Sequence, residues 1–243
     1  MRARRLFSRF GPALAAGALL CLGVVSPAQA QGDESRKASN KDSTRMMLEF
    51  AECTVKDRRM KPEVDRFLAM SPADPEFGLL GGKFAKDRCV PAAMSTVTMR
   101  FDSMLFRYSL FEARYRIEFG KSAAPVVAGL PPLDVDAEFS AAGFDPRGMS
   151  TLPPVVIFLR QLGECVVRVD VANAHALIVA RPYSKQEATA LTAVMPALGE
   201  CMPEGHTMKF SRPMLRGAIA EALYKAATYQ GPRVAPAPTQ SVN

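Results

Sequence analysis

Cys53 and Cys89 stand 36 residues apart, and Cys165 and Cys201 repeat that interval in the second half of the chain. These are the four of the five cysteines that lie beyond the expected leader, and an even set in an oxidising compartment reads as disulfides. Four cysteines allow three pairings, and the equal spacing favours Cys53–Cys89 with Cys165–Cys201. In the chain-entropy picture each closed loop stabilises its segment by about 4 kcal/mol. A zinc site is the competing account, but it lacks support: there is no CxxC or HExxH, and the only imidazoles are His175 and His206. No metal or other cofactor is expected.

The compartment follows from the start of the chain. Arg2, Arg4, Arg5 and Arg9 precede an apolar run from Pro12 to Val25, which ends in the small-residue site Ala28-Gln29-Ala30. That order is what a cleaved secretory signal requires, and the run falls short of the roughly 20 apolar residues that span a bilayer. The expectation is cleavage after residue 30, with no transmembrane segment left and a periplasmic or secreted product. Leu20 before Cys21 argues against a lipobox, and Arg4-Arg5-Leu6-Phe7 only partly matches a twin-arginine signal. The signal holds four arginines and no acid, so its loss lowers the formal charge from +7 to +3. No concentrated basic face remains for a nucleic acid.

The cysteine flanks point to an internal duplication. Glu52-Cys53-Thr54-Val55 matches Glu164-Cys165-Val166-Val167, and Met99-Arg100-Phe101 matches Met208-Lys209-Phe210. The register then continues through Arg107 with Arg216, Leu110 with Ile219, Glu112-Ala113 with Glu221-Ala222, Tyr115 with Tyr224 and Arg116 with Lys225. The expected fold is all-α, as two pseudo-repeated, disulfide-stapled helical units. Its parts are a signal peptide at 1–30, a flexible N-terminus at 31–43, unit one at 44–119, a Pro-rich segment at 120–154, unit two at 155–230 and a disordered tail at 231–243. Val126, Val127, Leu130, Leu133 and Phe139 favour draping the 120–154 segment over the core.

Helical signals are strongest in the second unit. Ser184 and Glu187 form a capping box, followed by Ala188, Leu191, Val194 and Leu198 until Pro196 disturbs the pattern. Ser211 can cap the last helix with Pro213 in its first turn, and Leu215, Ile219, Ala222, Leu223 and Ala226 make one apolar stripe. Its counterpart begins at Asp102 and buries Phe106, Leu110 and Ala113. Glu112 before Arg116, and Glu221 before Lys225, are spaced to support exposed helix. Residues 153–181 read as two helices broken near Asn173, or as strands at 155–159 and 177–180; the matching stretch of unit one selects helix. The stretch from Gly78 to Phe84 lacks phosphate-loop spacing and reads as a turn between helices.

No GxSxG elbow is present, and neither His175 nor His206 has an evident Ser or Cys nucleophile beside it. Paired carboxylates for acid–base work cannot be assigned. The candidate ligand-binding residues are Arg107, Glu112, Tyr115, Arg216, Glu221 and Tyr224, in two equivalent polar grooves. The structural alternative is that Arg and Glu tie their helix to neighbours within the same unit while Tyr packs its ring.

Glu164-Cys165, Glu200-Cys201-Met202-Pro203 and the closing helix Leu215 to Tyr224 resemble a group of small secreted alphaproteobacterial proteins. Those proteins carry a Glu-Cys motif, a later Glu-Cys-x-Pro and a final Leu-Arg-Gly-x-Ile-Ala-Glu-Ala-Leu-Tyr helix. The likeness covers mainly residues 160–227. Unit one departs from it at Asp87-Arg88-Cys89-Val90-Pro91 and at Tyr108, which replaces the Gly. The resemblance implies export but no activity. The expected function is a periplasmic module that binds a protein, peptide or small ligand. An envelope structural or stress-related protein and a secreted hydrolase using His175 or His206 are the alternatives.

Overall fold

The computed structural model describes residues 28–84, 89, 102–133, 135, 154–204 and 210–233, with side-chain burial in the first helix given from Lys41 onward. The chain divides into two units, Met1–Lys37 and Ala38–Asn243. Of the first, only helical backbone from Ala28 is described; side chains, packing and sites below belong to the second. Eight helices and no strand lie among the described residues: α1 Ala28–Lys56, α2 Lys61–Ala69, α3 Phe77–Phe84, α4 Ser103–Phe119, α5 Pro154–Val169, α6 Val171–Val179, α7 Lys185–Cys201 and α8 Arg212–Thr228. The all-α class is as the sequence indicates. Residues 1–27 of the expected signal lie outside the described residues. The 31–43 stretch, expected to be flexible, is helical backbone within α1, in a segment free of proline.

Both expected disulfides are present. Cys53 joins Cys89 and Cys165 joins Cys201, with Cα separations of 5.6 and 5.8 Å. Helix starts follow local chemistry. The Asp102 side chain accepts from Leu105 N, and Ser184 accepts from Glu187 N while the Glu187 carboxylate reaches back to Tyr183 N. Ser211 takes the N-cap position of α8 but makes no side-chain cap bond.

Three local expectations change. The break between α5 and α6 falls at Asp170, not near Asn173; Asp170 accepts from Asn173 N and so starts the second helix. The stretch from Gly78 to Phe84 belongs to α3, which buries Phe77, Leu80 and Phe84 on one side and lacks room for a side chain at Gly81. A Cβ there would lie 2.5 Å from Ser103 Oγ. Helix α7 continues through Pro196, which is exposed, so the carbonyl it leaves unbonded sits on the outer side of the helix.

Helices α4 and α8 pack on each other at the centre; α8 also packs on α5 and α6, and α6 on α7. Every residue from Phe106 to Tyr115 except Ser109, and every residue from Leu215 to Leu223, is buried. These helices are therefore enclosed on all sides and do not show one apolar stripe. Close approach depends on Gly217, where a Cβ would lie 2.1 Å from Tyr108 Cβ. Of the 120–154 segment, Val127 and Leu133 pack against the core, Val135 is buried and Val126 is exposed, while Phe139 lies outside the described residues. At the start of the tail, the Arg233 guanidinium donates to Val126 O and Ala128 O, both at 3.0 Å; residues 234–243 are outside the described set.

Candidate functional site

Five of the six sequence-selected residues are buried. Arg107, Glu112, Tyr115, Arg216 and Glu221 are at most 6% exposed, and only Tyr224 is half-buried. Their partners differ from both sequence readings. Arg107 Nη1 donates to Glu221 Oε2 at 2.9 Å, and Arg216 donates through Nη2 and Nε to Glu112. Each arginine of one central helix thus meets the glutamate of the other, across the two halves of the chain and not within one. The backbone supports the same reciprocity: Arg107 donates to Leu68 O at the end of α2, and Arg216 to Leu177, Ile178 and Ala180 O at the end of α6. Those are the last carbonyls of their helices, which lack partners of their own.

Further charges complete the cluster. Arg160 of α5 brackets Glu221 with Nε and Nη2, and Lys225 Nζ reaches Glu221 Oε1 at 3.0 Å. Glu187 accepts from Arg216 and Arg212. Burial alone would raise the Glu221 carboxyl, but the charges of Arg107, Arg160 and Lys225 outweigh it and hold the group far below the usual carboxylate range. Of the two expected i,i+4 pairs, Glu221–Lys225 forms, but with its glutamate buried, whereas Glu112 is matched by Arg216 inside the protein and Arg116 turns to Glu52 instead. Three buried arginines, at 107, 160 and 216, face three buried glutamates, at 112, 187 and 221. Such a set orients helices, and it presents no carboxylate to solvent as a base or ligand.

His175 lies on α6 with Nδ1 at 2.7 Å from Tyr115 Oη, and burial lowers its pKa while raising that of Tyr115. The two side chains share one hydrogen bond, whose donor is set by the imidazole tautomer. His206 lies outside the described residues. Among the described residues, no group of three or more His, Cys, Asp or Glu could hold a metal ion. No helix among them is long and apolar enough to cross a membrane.

The openings lie elsewhere. Between α7 and α8, Leu191, Met195, Leu198, Met202, Phe210 and Leu215 line an apolar groove of about 470 Å³, with Arg212 at its edge. Met195 is 55% exposed there. A polar cleft of about 170 Å³ lies between α1, the end of α4 and the α6–α7 turn, lined by Arg45, Leu48, Glu49, Glu52, Arg116, Arg181 and Pro182. The six selected residues line neither. Repeat matching brought out Arg116 and the Glu-Cys motif brought out Glu52, but only the spacing of Arg45, Glu49 and Glu52 along one face of α1 gave any signal for the rest. Family models, curated proteins and solved structures show no match to this chain.

Proposed function

We propose that the chain is an exported protein-interaction module, built from two copies of one helical unit, whose α7–α8 groove takes an apolar helical segment of a partner protein. The open apolar groove carries this reading. Leu191, Met195 and Leu198 form one stripe along α7, which at 1.5 Å per residue is about 10 Å long, and Met202 just past the helix end extends it, enough for about two turns of a docked helix. Methionines at its lip adapt to irregular apolar surfaces. Arg212 is already held by Glu187 and stacked 4.7 Å over the Tyr183 ring, so the groove offers shape and apolar contact, with its edge charge already engaged.

Export is supported by the leader pattern of residues 1–30 and by two disulfides, which persist in oxidising compartments. The likeness of residues 160–227 to secreted alphaproteobacterial proteins belongs with that reading. Duplication is supported by the matched register and by the reciprocal pairing of Arg107 with Glu221 and of Arg216 with Glu112.

A photo-crosslinking side chain at Met195, in cells that export the chain, should form one discrete protein adduct that Leu191→Glu, at a half-buried position of the same groove, abolishes. The same group at exposed Leu79 should not form it. Adducts to lipid alone, or identical adducts from both positions, would overturn the reading.

A further inference from the structure

The polar cleft between α1, the end of α4 and the α6–α7 turn is built differently from the groove. Arg116 is immobilised at its base: Nη1 donates to Ile178, Val179 and Ala180 O at 3.0, 2.8 and 3.0 Å, and Nε faces Glu52. Glu52 is further neutralised by Lys56. Arg45 spends only Nε, on Pro182 O at 3.3 Å. Arg181 and Glu49 line the same cleft without a hydrogen bond or ion pair, to each other or to any other described residue.

The turn that carries Arg181 is fixed. Pro182 is buried, and Tyr183 sits at φ 59°, a left-handed conformation costly for an aromatic residue. Its N–H is held by the Glu187 carboxylate and its ring by Arg212. Two cationic groups with free donors and one carboxylate with free lone pairs are thus set apart around a small opening. Buried Leu48 and Pro182 supply an apolar wall.

We infer that this cleft binds a small zwitterion of the α-amino-acid class. The ligand carboxylate lies against Arg45 and Arg181, its ammonium faces Glu49, and a short apolar side chain rests on Leu48 and Pro182. Guanidinium groups favour carboxylates for their forked donor geometry. A simple anion would leave Glu49 unmatched beside it, and a simple cation would face a net positive lining. At about 170 Å³ the cleft is also smaller than the roughly 300 Å³ at which pockets begin to take drug-sized molecules.

The test titrates L-alanine, acetate and ethylammonium separately into the intact oxidised chain, with binding followed by backbone amide shifts. L-alanine should bind saturably, shift the amides of Arg181 and Tyr183, and bind more tightly than either half-ligand. Arg181→Ala should weaken L-alanine about tenfold, the loss expected for one charge-assisted hydrogen bond. Glu49→Gln should weaken L-alanine and leave acetate as tight or tighter. Both residues are exposed, so neither change removes core packing. Acetate binding as tightly as L-alanine, an unchanged affinity in Glu49→Gln, or no saturable shift at all would each overturn the assignment.

Discussion

Glu221→Gln removes one negative charge from the centre of the protein and almost no volume. In the native chain that carboxylate accepts from Arg107 and Arg160 and is approached by Lys225, while Arg107 and Arg160 are 1% and 3% exposed. The amide keeps one acceptor oxygen but takes from the buried Arg107 and Arg160 guanidinium groups the negative charge they share. Breaking a buried pair in this way costs about 3–5 kcal/mol, a large share of the 5–15 kcal/mol that holds a typical domain. Chemical denaturation should therefore show a lower midpoint with an unchanged m-value. The triple variant Arg107→Met, Arg160→Met, Glu221→Met should recover most of the loss, because apolar replacement removes the desolvation cost together with the attraction. The pH dependence gives a second readout. The folded carboxyl titrates well below its ordinary value of 4.5, so its contribution is present above that pH and is lost as pH falls below it. Glu221→Gln should show a flatter stability profile than the native chain in that acid range. A loss under about 1 kcal/mol would show the cluster to be hydrated, against the reasoning from burial. A triple variant no more stable than the single one would show that packing, not charge, sets the cost.

Cys53→Ser should cost about 2–5 kcal/mol, leave Cys89 reactive and keep Cys165–Cys201 intact, as thiol labelling and intact mass of the denatured, unreduced chain will show. Gly217→Ala should destabilise by at least about 1–3 kcal/mol, because the added methyl meets the Tyr108 side chain; Tyr108→Ala in the same chain should relieve part of that cost, read from the denaturation midpoint. His175 is half-buried, and desolvation lowers its pKa from 6.5, so the unfolded chain takes up this proton more readily than the folded one. Stability should fall as pH drops below about 6.5, and His175→Gln should flatten that part of the profile.

The readily legible features were those encoded in neighbouring residues. The Ser184–Glu187 capping box, the Asp102 helix start and the equal cysteine intervals each concern either a few adjacent positions or two identical loops. The charge cluster was illegible because Arg107 and Glu221 are 114 residues apart, and an exposed i,i+4 pair and a buried cross-helix pair have the same local sequence. Helix α3 is hidden in the sequence because a glycine that permits close packing against Ser103, Gly81, looks like one that permits a turn. The α1 cleft leaves no local signal because Arg45, Glu49, Arg116 and Arg181 come from three separate parts of the chain.

If the two halves are copies, the departures from their match fall where a two-fold relation would demand them. Reciprocal contacts can use identical residues on both sides, as Arg107–Glu221 and Arg216–Glu112 do. A position that meets its own counterpart cannot: Tyr108 and Gly217 are matched and face each other, two tyrosines would collide there, and two glycines would leave a void. The charges follow a similar logic. The Arg107–Glu221 pair gains a third partner in Arg160, five residues before Cys165, where Leu48 stands before Cys53. The Arg216–Glu112 pair gains Glu187. One added cation and one added anion keep the buried arginines and glutamates of the cluster equal in number. The two substitutions are thus energetically coupled. Removing Arg160 and Glu187 together should cost less than the sum of removing each, a non-additivity that a double-mutant cycle measures directly.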